Sequence, residues 1–121
     1  VAVRVSTWAS NPPVQGLPGC RQARAWGQFP TARNLAAAIS VEAAELLEKF
    51  IWATVDQVRG LVDDHKASIA EEIADIAILL TYLATDLAID IDSAAAAKIR
   101  NNAEKYPVEK SRGINKKYSD L

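Results

Sequence analysis

Two pairs of acids stand out by their spacing: Glu42 with Glu45, and Glu72 with Asp75, each three residues apart. At 100° per residue, Leu35, Ala38, Ile39 and Leu46 fall within about 60° of Glu42, on the stripe a helix should bury. Glu45 lies at the edge of that stripe. The same anomaly recurs around Glu72, whose line carries Ile69, Ile76, Leu79 and Leu83, with Asp75 at its edge. If the two helices pack antiparallel through these faces, four carboxylates converge. Two unit charges about 5 Å apart repel by roughly 3 kcal/mol at an effective dielectric of 20. Six such pairs would exceed the whole stability of a small domain, about 5–15 kcal/mol. Bound cations relieve this better than protonation does.

Oxygen donors held in a rigid site suit Mg²⁺ or Mn²⁺, ions that keep water and bridge phosphates. A carboxylate-bridged di-iron centre would need Glu-x-x-His on each of two helices. The single histidine, His65, is not so placed, so that reading fails; His65 is expected at the surface near a helix start, without a role. One acidic pair alone is more often a solvated helix face, the reading that suits Glu48 and Glu71. Two pairs on two apolar lines, with 26 residues between Glu45 and Glu72, favour a metal site.

Further along, Lys98, Asn102 and Lys105 follow i, i+4, i+7 spacing and share one helix face. Lysine ammonium groups are compact donors for phosphate oxygens, and Asn102 can bind a sugar hydroxyl or a phosphate. A solvated helix end with lysines near the negative pole of the dipole explains the same residues.

The elements that must position these groups are helical. Residues 1–20, rich in proline and glycine and without periodicity, read as an irregular arm. Thr31 is a plausible N-cap for a helix through "ARNLAAAISVEAAELLEKFIW". Gly60 in "ATVDQVRGLVDD" reads as a stop. A second long helix, "HKASIAEEIADIAILLTYLATDLAI", is expected after Asp63 and Asp64. Asp92 can cap a third, "SAAAAKIRNNAEKY", which Pro107 should end. Residues 111–121 form a polar tail, leaving residues 21–110 as the domain. No strand pattern competes. The expected fold is all-α: a helical bundle of two long antiparallel helices and a shorter third.

The second helix has a further apolar line, Ile73, Leu80 and Ala84, beside that of Ile69, Ile76, Leu79 and Leu83. Two long helices and a short one cannot easily cover both, so the bundle is expected to be completed by oligomerisation.

The 121 residues, half of them hydrophobic, suit one compact domain. A net charge of −1 leaves no electrostatic footprint for nucleic acid or a membrane surface. The longest apolar run, "IAILLTYLA", is about half a bilayer span. One cysteine, Cys20, excludes an internal disulfide framework and fits a cytoplasmic protein.

"EAAE", then "EIAD" after 26 residues, then "KIRNNAEKYPVEKSRG", resembles the all-α nucleoside triphosphate pyrophosphohydrolases, closest to the MazG-like and dCTP pyrophosphatase branch. "ARAWGQFPTARNL" resembles the segment preceding that branch's first catalytic helix, so the resemblance runs from about Arg21 to Gly113. It implies a homodimer or a dimer of dimers, and Mg²⁺-dependent cleavage of a nucleoside triphosphate between its α and β phosphates. By position, Glu42, Glu45, Glu72 and Asp75 match the metal-binding and catalytic acids. Lys98, Asn102, Lys105 and Tyr106 match the substrate-binding stretch. Trp26 and Trp52 match aromatic positions near the nucleotide, where an indole can stack on a base; core packing is the alternative for both. One departure concerns the base. Members selective for pyrimidines commonly read "FHTPRNL" where this chain reads "FPTARNL", so Pro30 replaces a histidine. The rival reading from another class is a helical oligomerisation or regulatory module whose acidic site is vestigial.

Overall fold

The structure, a computed structural model, describes residues 31–120. The N-terminal arm, Trp26 and Pro30 lie outside the described residues. Within them the chain is helical with no strand: α1 spans Ala32–Glu48, α2 Val58–Asp86, α3 Ile91–Lys105 and α4 Val108–Ser111, followed by a 3-10 turn at Tyr118–Asp120. No helix among the described residues is long and apolar enough to cross a membrane.

α1 starts where the sequence places it. The Thr31 side chain accepts a hydrogen bond from the Asn34 N–H at 3.2 Å, satisfying one of the helix's orphan donors. The helix stops at Glu48 and does not continue to Trp52. Phe50, Ile51 and Trp52 are aromatic or β-branched and hold helix poorly. There the backbone tightens into turns, with Phe50 N–H on the Leu47 carbonyl and Ala53 N–H on that of Phe50, both at 2.9 Å.

The expected break at Gly60 is not found; α2 already begins at Val58 and runs through Gly60. Its entry is organised upstream by a T-x-x-Q signature. The Thr54 N–H donates to Gln57 Oε1 at 3.0 Å, half of a capping box, and the Thr54 carbonyl accepts from Gln57 and Val58. The irregularity lies at His65, where φ −118° and ψ 19° leave the helical region and kink α2. The Ser68 hydroxyl donates to the His65 carbonyl at 3.1 Å just beyond the kink.

α2 ends in a Schellman arrangement. The Ile89 N–H reaches the Ala84 carbonyl at 2.8 Å and the Ala88 N–H that of Thr85 at 3.1 Å. The residue held in the left-handed region is Ala88, with φ 53°. α3 is capped by Asp90, not Asp92: Asp90 Oδ1 accepts from the Ser93 N–H at 3.1 Å. Asp92 falls in the first turn, near the positive pole of the dipole. α3 ends at Lys105, before Tyr106 and Pro107, as the residue preceding a proline requires.

Packing concentrates between α1 and α2. Among the described residues, Leu35, Ile69, Thr81 and Ala84 are buried, and the Thr81 hydroxyl is satisfied by the Ala77 carbonyl at 2.8 Å. On α2, Ile69 is buried and Ile76, Leu79 and Leu83 are half-buried, so this line faces the interior. Ile73 and Leu80 of the other line are exposed, whereas Ala84, expected with them, is buried. The antiparallel α1–α2 hairpin is the frame of an all-α helical bundle.

Candidate metal centre

The hairpin brings the acids of its two helices together. One carboxylate oxygen from each of Glu42, Glu45 and Glu72 lies within 4.8 Å of the others. Glu42 and Glu72 are half-buried and Glu45 is exposed. Antiparallel packing explains the meeting. Moving back along α1 from Lys49 to Glu42 moves forward along α2 from Glu72, which pairs with Lys49, to Asp75, whose charge acts on Glu42.

Glu42 registers the crowding. Partial burial holds its pKa above the ordinary 4.5. A hydrogen bond shared with Glu45 and the negative charges of Glu45, Asp75 and Glu72 push the same way. Asp75 therefore belongs to the same electrostatic neighbourhood, while standing outside the trio whose oxygens converge. It is exposed on the next turn of α2.

The donor set suits a divalent cation. Oxygens around one Mg²⁺ sit about 2.0–2.1 Å from it, hence no more than about 4.2 Å from one another. A trio already within 4.8 Å needs only small side-chain rotations to reach that spacing. Hard oxygen donors and solvent access on the Glu45 side leave room for retained water.

Lys49 is the residue that spacing had not singled out. Its Nζ lies 3.1 Å from Glu72 Oε1, with the two side chains 31% and 15% exposed. A signal was present: Glu42, Glu45 and Lys49 at i, i+3 and i+7 share one face of α1. What the sequence lacked was the facing partner on α2.

Beside the acids opens a cleft of about 620 Å³ between the end of α1 and the start of α2. Lys49, Trp52, Asp56, Gln57, Asp64 and His65 are among the residues that line it. Trp52 is 89% exposed, so its indole is a free face and not core. The polar lining offers both donors and acceptors to a ring stacked on Trp52.

The third group of expected residues is not seen against the acids. Lys98, Asn102, Lys105 and Tyr106 are exposed on α3 and its C-terminus. Lys105 Nζ lies 5.1 Å from the centroid of the Tyr118 ring, and Tyr106 meets the same ring edge-to-face at 6.0 Å. Thus the 3-10 turn folds onto the end of α3.

Comparison with known proteins follows the same lines. The mouse (Mus musculus) dCTP pyrophosphatase 1 is 37% identical over 100 residues, which cover 81% of this chain and 59% of that protein. The human (Homo sapiens) dCTP pyrophosphatase 1 is 34% identical over the same coverage. The chain thus spans about 59% of the length of these curated relatives. A crystal structure of a pyrophosphatase from Archaeoglobus fulgidus superposes with a TM-score of 0.76 at 36% identity, covering 78% of this chain and 89% of that one. The MazG-like family model matches residues 37–121, from within α1 through both acidic pairs to the C-terminal turn. With its paired acids on an antiparallel hairpin and that match over most of its length, the chain belongs to the MazG-like family.

Proposed function

We propose that this chain is a nucleotide pyrophosphohydrolase, adding water across the α–β anhydride of a nucleoside triphosphate to give the monophosphate and pyrophosphate. The observation that carries the reading is the convergence of Glu42, Glu45 and Glu72 beside a cleft with an exposed indole. Glu42, Glu45, Glu72 and Asp75 would hold Mg²⁺, or Mn²⁺ in its place. The bound cation supplies charge neutralisation for the triphosphate and an acidified water. Glu45, the most accessible of the trio, is the acid we assign to removing a proton from the attacking water. Trp52 stacks on the base, a role we give to Trp26 as well, and Lys98, Asn102, Lys105 and Tyr106 bind phosphate and sugar.

Exposure of Ile73 and Leu80 on α2, with Ile99 on α3, supports a homodimer or a dimer of dimers that covers these side chains. In an assembly of this kind the α3 residues of one copy can complete the site of another. We place the enzyme in the cytoplasm, clearing unwanted nucleotides from the pool, with neither nucleic acid nor membrane as partner.

Stacking alone gives affinity without selection, and Pro30 has no side-chain donor or backbone N–H with which to read a base. A dCTP-like substrate is therefore expected to lead, with related or modified bases accepted within about tenfold in kcat/KM, roughly 1.4 kcal/mol. The test is a screen of triphosphates with Mg²⁺ and with EDTA, followed by product analysis. Metal-dependent release of monophosphate and pyrophosphate is expected; release of inorganic phosphate alone, or no turnover of any triphosphate, would refute the proposal.

A further inference from the structure

Lys49 stands where a cation is wanted. Its ammonium pairs with Glu72, one of the three converging acids, at 3.1 Å. The residue is anchored by its own backbone. Lys49 caps α1, and its N–H bonds to the carbonyls of Leu46 and Leu47, which fixes the root of the side chain one turn beyond Glu45. The same side chain lines the open cleft, so it can leave Glu72 for a polar space without being buried unpaired.

From this geometry we propose that Lys49 is a tethered counter-ion of the metal centre, which must yield Glu72 before a divalent cation can take it. The inference rests on the reading of the acidic trio as the metal site. A carboxylate oxygen shared with an ammonium is a poorer ligand than a free one, and the ammonium also repels an incoming cation. Both effects weaken metal binding. A partly exposed ion pair is worth up to about fivefold in an equilibrium. Lys49 therefore sets the affinity of the site, holding Glu72 charge-balanced while the metal is absent.

The test is calorimetric titration of Mn²⁺ into the EDTA-stripped protein at fixed pH, with no nucleotide present. Lys49→Met is expected to bind Mn²⁺ at least threefold more tightly than the wild type. Lys49→Arg, which keeps the charge, should stay within twofold of the wild type. Lys110→Met, which removes an equal charge from α4, should leave the affinity unchanged. Lys49→Gln should tighten binding as methionine does, and replaces that variant if it does not fold by circular dichroism. Equal or weaker binding in the folded neutral variants, with the wild type still binding, overturns the role of Lys49 alone. Absence of binding in wild type and neutral variants alike overturns the metal site and the inference with it.

Discussion

Two positions in α2 and its cap carry each other's preferred residue, and exchanging them should stabilise the fold. Gly60 sits inside a helix with nothing within 4 Å of where a Cβ would stand. Glycine in such a place costs about 0.8–1.0 kcal/mol against alanine. Ala88 holds φ 53° at the residue after the helix C-cap, where alanine is strained by about 1–2 kcal/mol. Glycine there removes the strain while adding about 0.5–1 kcal/mol of unfolded-chain entropy, a net gain of about 0.5–1 kcal/mol. The sites lie at opposite ends of α2, so the gains should add to roughly 1.5 kcal/mol, or about 6 °C in Tm. Urea denaturation at one fixed protein concentration measures this as a shift in midpoint at constant slope, the fixed concentration guarding against association. A loss of stability in Gly60→Ala would mean that residue 60 is not helical and that α2 starts only after Asp64. A loss in Ala88→Gly would refute the left-handed cap.

The site makes three further predictions. Glu72→Gln should lower metal-dependent turnover by more than about 100-fold while the circular dichroism spectrum is kept, since a ligand and not a core contact is lost; unfolding would mark it as structural. Glu42 has a pKa raised above 4.5, so the folded, metal-free chain holds that proton more tightly than the unfolded one. Its contribution is fully present below 4.5 and is lost as pH rises through the raised value, so the stability of Glu42→Gln relative to wild type should grow over that window and then level off; a constant difference contradicts the shift. Trp52→Ala should raise KM about 5- to 150-fold, the worth of one stacked base, with kcat and Tm little changed because the indole is exposed.

The acids were legible because helical periodicity fixes which residues share a face, and a charged residue on an apolar line is conspicuous whatever it packs against. Thr31 was legible too, because a cap acts within three residues. Gly60 misled because its intrinsic preference is weaker than the capping box at Thr54 and Gln57 together with the packing of the whole of α2. Asp90 and Asp92 are the same residue type two positions apart. The choice between them follows from the turn at Ala88, a backbone state that alanine does not advertise. Lys49 needed tertiary knowledge, since its meaning lies in Glu72 on another helix. The α3 lysines remain readable only as a pattern, since the contact that places Lys105 is to Tyr118 and not to the acids.

The kink at His65 divides labour along α2. In an unbroken helix, one inserted residue would turn everything beyond it by 100° and swing Glu72 and Asp75 off the hairpin face. A non-helical joint at residue 65 is where such a change could be absorbed before it reaches them. The wall of the cleft, from Trp52 to Asp64, can therefore lengthen, shorten or exchange side chains while the acid-bearing half keeps its register against α1. On the function proposed above, substrate range and hydrolytic machinery would sit on separately editable stretches of α2 and its preceding loop, and new specificities could be drawn from the first without renegotiating the second.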